Sequence, residues 1–287
     1  MGLMVLFCAL WGLNQVAVKV ANLSISPLLQ GGLRSAGATV LLWAWCIGRG
    51  MPLFIRDGSL RAGLLAGILF AAEFGLIFWG LQFTAASRGI VFLYTAPFVV
   101  ATGMHWLVPN ERLRPIQIAG LVCAFAGVIA AFSDDLMATG GRQWIGDAMM
   151  FAAAVIWGMT TVLVRISALS RISAGKTLLY QLAVSAVCLL VASALVGEPG
   201  FTNPTALGFG SLVWQITIVA FASYLGWFWL ISLYPATRLS AFSFLTPLFG
   251  MVFGAALLSE RVAPLLILAL ALVAFGLWLI NRRASPV

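Results

Sequence analysis

Apolar residues along this chain fall into ten blocks of about 18–22 positions, separated by short polar connections. A helix of about 20 residues crosses a hydrocarbon core of about 30 Å, because each residue rises about 1.5 Å. The blocks therefore predict ten transmembrane helices. Their windows are 3–20, 28–47, 62–80, 88–107, 115–133, 146–165, 174–196, 209–231, 238–258 and 263–281.

The same pattern predicts an all-α integral membrane protein. Backbone groups in lipid must be paired internally, and the strict alternation of barrel strands does not occur in these blocks. Composition agrees, since 62% of the 287 residues are apolar and 8% are charged, against about 45–50% and about 25% in soluble domains. These values exclude a water-soluble globule, and the short connections leave no room for a soluble domain.

Several kinds of chemistry find no support in the sequence. His105 is the only histidine, so no imidazole cluster for a metal is expected. The four cysteines lie in different blocks without metal or disulfide spacing. No phosphate loop of the form G-x-x-x-x-G-K-[ST] occurs. We therefore expect no cofactor, no metal and no ATP hydrolysis by this chain.

The cations between the blocks predict the orientation. The net charge is +8, and an even number of spans puts both termini on one side. That side carries eleven cations, namely Arg49, Arg56, Arg61, Arg112, Arg114, Arg165, Arg171, Lys176, Arg238, Arg282 and Arg283. The other side carries Lys19, Arg88, Arg142 and Arg261. The positive-inside rule then predicts both termini in the cytoplasm, in a cell inner membrane.

These cations are a topology signal and not a nucleic-acid surface, which would need them on one exposed face. The partners we expect are the lipid bilayer and small-molecule solutes, with no nucleic acid. The oligomeric state stays open, and a monomer is one option.

The second half of the chain repeats the first. Trp11-Gly12 with Lys19 recurs as Trp157-Gly158 with Arg165, at a shift of 146. Phe78-Trp79, Ser87-Arg88 and Pro97 recur at a shift of 150 as Phe228-Trp229, Thr237-Arg238 and Pro247, and Glu111-Arg112 with Pro115 and Gly127 recurs at 149 as Glu260-Arg261, Pro264 and Gly276. The ordered matches predict two repeats of five spans each, residues 1–135 and 142–287.

Five spans per repeat make the two repeats inverted relative to each other. Inverted repeats are typical of secondary transporters, in which the solute site lies near the midplane and alternating access comes from rocking one repeat against the other. Two copies that can exchange conformations have inward-open and outward-open states of similar energy, as a carrier requires.

The repeated residues carry a resemblance. The Trp11-Gly12-Leu13-Asn14 opening with Lys19, the Pro97 and Pro247 spans, and the two Glu-Arg hairpins resemble the duplicated EamA unit of the drug/metabolite transporter superfamily. The ten-span, tryptophan-rich form is most similar to bacterial amino-acid exporters, including exporters of aromatic amino acids. The resemblance implies that spans 1–4 and 6–9 surround a central cavity, with spans 5 and 10 outside.

Two ionisable residues lie inside predicted spans. Glu73 in span 3 lies about 16 Å from the cytoplasmic edge of the membrane. Arg34 in span 2 lies about 9 Å from the outer edge. Insertion of an ionisable residue at the centre of a span costs about 2.5–3.5 kcal/mol, so each of these two residues needs a structural or functional role. One interpretation is a structural Arg34–Glu73 ion pair. The other is that Glu73 faces the cavity and meets a solute ammonium or a proton. Because the second repeat has Tyr180 and Ser223 at the matching positions, the pair is asymmetric.

Most of the tryptophans, Trp227 among them, fall near predicted span ends and suit the interfacial belt. Trp11 and Trp157 instead lie inside spans, each beside a glycine and polar residues. A ring with polar neighbours can offer a solute an apolar wall and hydrogen bonds. The alternative is helix packing at Gly12 and Gly158. The candidate substrate-binding residues are Trp11, Asn14, Gln15, Glu73, Tyr94, Trp157, Thr160, Tyr224 and Phe244.

Tyr94 and Phe244 each precede a proline by three residues, in matching spans. Proline removes a backbone donor and interrupts the helix, and interrupted helices at corresponding positions indicate a transport site. A simple packing kink is the alternative. Pro97, Pro247, Gly12 and Gly158 are therefore the candidate gating or hinge positions.

Together these features predict a secondary transporter that exports small organic solutes, amino acids including aromatic ones and related metabolites, across the inner membrane. One alternative is an exporter of cationic drugs that uses Glu73 and the aromatic rings as a cation site. A membrane-embedded enzyme is the other, and it lacks a convergent set of catalytic groups. We therefore expect no enzymatic activity.

Overall fold

The computed structural model describes residues 2–81, 83–84, 86–133, 137, 141–259 and 265–281. Within these ranges the elements are helical, apart from one antiparallel bridge between Ile25 and Phe201. The α-helices are α1 (Gly2–Asn22), α2 (Pro27–Gly48), α3 (Leu60–Gly80), α4 (Ala86–Leu93), α5 (Ala96–Leu107), α6 (Pro115–Ala131), α7 (Gln143–Ile166), α8 (Ala174–Val196), α9 (Ala206–Trp214), α10 (Tyr224–Leu233), α11 (Ala236–Phe242), α12 (Leu245–Leu258) and α13 (Leu266–Asn281). A π-helix, Gln215–Ser223, joins α9 to α10, and short 3₁₀ turns occupy Pro109–Glu111 and Ala168–Arg171.

Helical segments lie within each of the ten predicted windows, which confirms the all-helical prediction. Seven stretches are long and apolar enough to cross a membrane, namely Gly2–Asn22, Leu60–Gly80, Gly89–Leu107, Gln143–Ile166, Ala174–Val196, Ala206–Leu233 and Ala236–Leu257. Helices α6 and α13 are apolar but shorter. Helix α2 has 22 residues but carries Gln30, Arg34 and Ser35. The chain is a multi-pass helical membrane protein.

The helix ends follow from local sequence. Helix α2 begins at Pro27, and both oxygens of Glu198 accept hydrogen bonds from the free amides of Leu28 and Leu29, each at 3.0 Å. A carboxylate at a helix N-terminus also complements the helix dipole. Helix α8 begins after Ser173, whose hydroxyl accepts from the amide of Lys176, and ends at Gly197 with φ +72°. Glycine adopts this left-handed conformation without the steric cost that other residues carry.

Two helices are interrupted next to the predicted prolines. The break between α4 and α5 is at Tyr94-Thr95, before Pro97, and the break between α11 and α12 is at Ser243-Phe244, before Pro247. At the first break the amide of Phe98 bonds to Thr95, three residues back, at 3.0 Å. The π-helix in the middle of the eighth window is a third irregularity, which the sequence did not indicate.

Close helix packing is centred on glycines. A Cβ atom at Gly120 of α6 would lie 2.7 Å from the carbonyl oxygen of Gly276 of α13, so these backbones touch. Gly12 lets α1 pack on α12 beside Phe249, and Gly158 lets α7 pack on α5 beside Val99. Small residues at such crossings allow the van der Waals contact that holds membrane helices together.

The bundle has two ends, which we name after the acidic residues found there. At the Glu111 end, Glu111 contacts the end of α7 and the start of α11. At the Glu198 end, Glu198 caps α2, and Ser24 bonds to Thr205 beside the start of α9. Gly2 and Asn281, the first and last described residues, lie at the Glu111 end, because α1 runs parallel to the α11–α12 pair and α6 packs antiparallel to α13.

Candidate functional site

A cavity of about 170 Å³ lies in the middle of the bundle and extends toward the Glu198 end. It is lined by residues from both predicted repeats. Among the candidate residues it contains Trp11, Asn14, Gln15, Arg34, Glu73, Tyr94, Trp157, Thr160 and Tyr224. Residues 150 positions apart thus meet around one central space. A solute site at this location is what the predicted inverted arrangement of the repeats implies.

Aromatic rings form one wall of the cavity. The ring of Trp11 lies edge-on to Trp227 and Tyr224, with centroids 5.7 Å and 6.3 Å away. Tyr94 meets Trp157 edge-on at 5.8 Å. Edge-to-face pairs are favourable because the positive edge of one ring meets the negative face of the other. The packed rings give the cavity an apolar surface.

The two ionisable residues both line the cavity but do not form the predicted structural ion pair. Arg34 is 1% exposed, and its Cζ lies 4.1 Å from the ring centroid of Phe74. Its Nε and Nη2 have no hydrogen-bond partner among the described residues. Glu73 is 7% exposed. In this conformation Arg34 makes a cation–π contact in place of the ion pair that one of the two interpretations predicts, and its Nε and Nη2 are left without a hydrogen-bond partner in the described part of the chain.

Uncharged polar groups complete the lining. Asn14 and Gln181 are buried, and Oδ1 of Asn14 and Nε2 of Gln181 have no partner within the described ranges. The hydroxyl of Thr160 donates to the carbonyl of Ile156 at 2.8 Å. A buried polar atom without a partner is rare and expensive. The amide side chains are therefore candidates for contacts with a polar solute.

Some placements differ from the sequence interpretation. Phe244 does not reach the cavity, because it is fully buried between Phe98 and Phe125, with centroids 6.2 Å and 6.1 Å away. Trp227, predicted to be interfacial, is 6% exposed and lies in the cavity wall. Trp227 and Tyr224 are three residues apart and so lie on one helix face. This spacing from a candidate binding residue could have indicated that Trp227 faces the cavity.

The sequence also gave no role to Gln181, Phe70 or Phe74, which line the same cavity. Gln181 directly follows Tyr180, which matches Arg34 in the second repeat. This adjacency is the sequence feature that could have indicated Gln181 as a lining residue. Phe70 and Phe74 lie within one turn of Glu73 on α3. Aromatic residues in a span that is apolar all round carry no sign of the face they occupy.

The sequence pattern of the EamA-like transporter family matches residues 1–133 and 144–282. The chain belongs to the EamA-like transporter family. The family resemblance of the repeated motifs is thereby confirmed, and so is the membership of the drug/metabolite transporter superfamily. The protein is a membrane transporter.

Curated relatives agree with this assignment. The EamA-like chain is 25% identical over 271 residues to the uncharacterized transporter YoaV of Bacillus subtilis, covering 94% of this chain and 92% of that one. It is 25% identical over 281 residues to the uncharacterized inner membrane transporter YedA of Escherichia coli, covering 95% and 87%. A solved crystal structure superposes with a TM-score of 0.84 at 17% identity over 97% of this chain and 95% of its own, which shows a shared fold.

Hydrogen bonds of Glu111 and Arg165, which we call the latch, link α7 to α10 and α11 at the Glu111 end of this EamA-like bundle. Nε of Arg165 donates to Oε1 of Glu111 at 2.8 Å, and its Nη1 donates to the carbonyl of Ile231 at 3.2 Å. Oε2 of Glu111 accepts from the amide of Ala236 at 2.9 Å. Arg165 is therefore part of an ion pair. The repeat counterpart of Glu111, Glu260-Arg261, lies outside the described residues.

The candidate hinge residues lie around the cavity and do not line it. Pro97 is buried next to the Tyr94 break, and Pro247 follows the Phe244 break by three residues. Gly12 and Gly158 are tightly packed against neighbouring helices. The arrangement as a whole offers a solute an apolar aromatic wall, one buried acid, one buried base and several amide groups.

Proposed function

We propose that this protein exports small organic solutes, amino acids including aromatic ones, through alternating access of two inverted five-span repeats. The repeats are residues 1–135 and 142–287. With both termini in the cytoplasm of an inner-membrane protein, the Glu111 end is cytoplasmic. The cavity then faces the outside, and the latch of Glu111 and Arg165 closes the cytoplasmic side.

One observation carries the proposal, namely the composition of the central cavity. It combines an acidic side chain, Glu73, and a basic one, Arg34, with the aromatic surfaces of Trp11, Trp157 and Tyr224. A solute that has a charged or zwitterionic head and an apolar ring would match both parts. Ligand sites of this kind are mostly apolar and hold a few convergent polar groups.

The candidate substrate-binding residues are Trp11, Asn14, Gln15, Glu73, Tyr94, Trp157, Thr160 and Tyr224, with Pro97, Pro247, Gly12 and Gly158 as hinge or packing positions. Rocking would open the latch while the cavity closes at the Glu198 end. Because the interruptions at Tyr94 and Phe244 and the π-helix lie near the level of the cavity, bending is expected there.

The test is counterflow in proteoliposomes that contain the purified protein and a panel of radiolabelled amino acids. We expect aromatic amino acids to exchange into these proteoliposomes faster than they enter liposomes without protein. If none of the panel exchanged, the amino-acid proposal would fail while the transporter family remained.

A second arm of the same assay addresses export of cationic drugs, which Glu73 and the aromatic wall would favour through charge and cation–π attraction. Lipophilic cations are added as competitors to an exchanging amino acid. If the cations displaced the amino acid when both were present at the same concentration, the result would favour a drug exporter. We expect weak displacement, because the same cavity contains the buried cation Arg34.

A further inference from the structure

The guanidinium of Arg34 is an unsatisfied donor group in the wall of the cavity. It is 1% exposed and comes from α2, one turn beyond Gln30. Breaking or omitting the partner of a buried charge is strongly unfavourable. Phe74 makes a cation–π contact with the guanidinium, with Cζ 4.1 Å from the ring centroid, and this contact leaves Nε and Nη2 without a hydrogen-bond acceptor among the residues that the structure describes.

The two atoms without partners identify the missing acceptor. Nε and Nη2 are the unpartnered nitrogens among the described residues, and they form one side of the guanidinium, on which two N–H bonds point in nearly the same direction. A carboxylate has two oxygens at the matching separation, and such bidentate pairs are the strongest hydrogen-bonded ion pairs in proteins. The geometry of the donors therefore fits a carboxylate better than a single-point acceptor.

The protein's own carboxylate does not fill this role. Glu73 lines the same cavity but makes no ion pair with Arg34. An acidic and a basic side chain therefore lie unpaired with each other in one wall, so the cavity matches a solute that carries an anionic and a cationic group together. Gln181, with an unpartnered Nε2 and 1% exposure, supplies a further buried donor in the same lining.

We propose that Arg34 is the carboxylate-binding residue of the cavity and that Glu73 receives the solute's ammonium, so that the transporter selects zwitterions over amines. This rests on the proposed function and names the solute class for it. Arg34 is held against Phe74 until a carboxylate arrives, and its side chain then turns its Nε–Nη2 edge to the solute. The aromatic wall contacts the solute's apolar part.

The test compares three probes that share one ring, namely L-phenylalanine, phenethylamine and 3-phenylpropanoate. Binding to the purified protein is measured by intrinsic tryptophan fluorescence, and inhibition of L-phenylalanine counterflow is measured in proteoliposomes. We expect phenethylamine, which lacks the carboxylate, to bind roughly 30-fold more weakly than L-phenylalanine, as the loss of charged hydrogen bonds requires. 3-Phenylpropanoate should also bind more weakly than L-phenylalanine, because it leaves Glu73 without an ammonium.

Variants of Arg34 isolate its contribution. Arg34→Gln should weaken the binding of L-phenylalanine by about 30-fold and leave the binding of phenethylamine almost unchanged. The preference for the amino acid over the amine then disappears. Arg34→Lys keeps the positive charge but lacks the two parallel N–H donors of the guanidinium, so it should give an intermediate loss of L-phenylalanine affinity. The matched control is Arg49→Gln, at the C-cap of the same helix, since Arg49 also makes a cation–π contact, with Trp45, but is exposed and outside the cavity. It should keep the wild-type preference.

The outcomes separate this inference from the proposed function. If amino acids exchange but phenethylamine competes as well as L-phenylalanine, with no change in Arg34→Gln, the role of Arg34 is wrong and the function stands. If no amino acid exchanges but 3-phenylpropanoate binds in an Arg34-dependent way, the function is wrong and the carboxylate site stands. Binding of none of the carboxylates to the wild-type protein overturns both. The probe comparison in the wild type decides the matter even if Arg34→Gln fails to fold.

Discussion

The indole Nε1 of Trp11 donates a hydrogen bond to the hydroxyl of Ser223 at 2.9 Å, across 212 residues of sequence. Ser223 in turn donates to the carbonyl of Val219 at 2.6 Å, inside the π-helix. The bond therefore ties the first span to the irregular segment of the eighth. Ser223 is also the repeat counterpart of Glu73, so the two halves use this position differently.

Trp11→Phe keeps an aromatic ring in the wall and removes the donor. We expect solute affinity to fall by roughly fivefold, since one neutral hydrogen bond contributes about 1 kcal/mol. Ser223→Ala should have the same effect, and the double variant should be no worse than either single one, because the bond can be lost once. Trp43→Phe, at an exposed position, is the control. Additive losses would contradict a direct coupling.

Glu73→Gln removes the charge from the cavity and keeps the volume. We expect an ammonium-bearing solute to lose about tenfold or more in affinity, while 3-phenylpropanoate is unaffected. Counterflow rates are measured from pH 5 to pH 9, with Glu73→Asp as the charge-retaining control. A Glu73→Gln protein with the wild-type rate and pH dependence would remove Glu73 from the mechanism.

Arg165→Gln breaks the latch at the Glu111 end. Glu111 is 3% exposed at its side chain, so losing its cation favours conformations in which water reaches it. We expect a shift of about 1 kcal/mol, a factor of roughly five in population, toward the state open at that end. The measurement is the labelling rate of a cysteine introduced at Thr161, in the cavity wall. Arg171→Gln, an exposed arginine at the same end, should leave the rate unchanged.

Gly276→Ala tests the packing of the last helix. The added Cβ would lie 2.5 Å from the carbonyl oxygen of Gly120 and 2.6 Å from the amide nitrogen of Ala124. Both are backbone atoms, so α6 and α13 must separate, at a cost of about 1–3 kcal/mol. The melting temperature in detergent should fall. Gly210→Ala, with open space around its Cβ, should be neutral or slightly stabilising. An equal effect of both would contradict the close crossing.

Asp57 gives a pH dependence that can be predicted with its sign. Nζ of the buried Lys176 donates to Oδ2 of Asp57 at 2.8 Å, and Ser59 donates to its other oxygen. The ammonium of Lys176, followed by the Ser59 bonds, holds the pKa of the Asp57 carboxyl well below its usual value of 3.8. A lowered folded pKa stabilises the fold above about pH 4, and this contribution is lost as the pH falls below that value.

The measurement for Asp57 compares melting temperatures of the wild type and Asp57→Asn from pH 8 to pH 3. The difference should stay constant down to about pH 5 and shrink below about pH 4, where the carboxyl of the unfolded chain takes up a proton. A difference that grows at low pH would have the wrong sign for this ion pair. Lys176→Met should show the same loss of the acid-side dependence.

The helical segments were predictable because lipid imposes one rule on every span, which is that about 20 consecutive apolar residues are needed. The proline breaks were predictable for an equally local reason, since Pro97 and Pro247 each lack an amide donor. The π-helix was not, because Gln215–Ser223 contains no residue that forbids an ordinary helix.

Much of the cavity was also accessible from repeats and polarity. Trp11, Glu73 and Trp157 were conspicuous as a charge or a polar-flanked ring inside an apolar block. Trp227 and Phe244 were misplaced, because the first lies near a window end and the second matches a cavity residue in the other repeat. Approximate repeats do not require equal rotations of equivalent helices, and small differences in packing turn one ring to the cavity and the other to α6.

The sequence by itself determined that the chain is a helical membrane transporter of a known family, because hydrophobic length and repeated motifs are local properties of the chain. Only the tertiary structure decided that Arg34 makes a cation–π contact with Phe74 and no ion pair with Glu73, and that Arg165 pairs with Glu111 at one end of the bundle. The physical reason is that a span surrounded by lipid is apolar on every side. Its rotation is then set by glycine contacts and by the few polar groups that meet across helices.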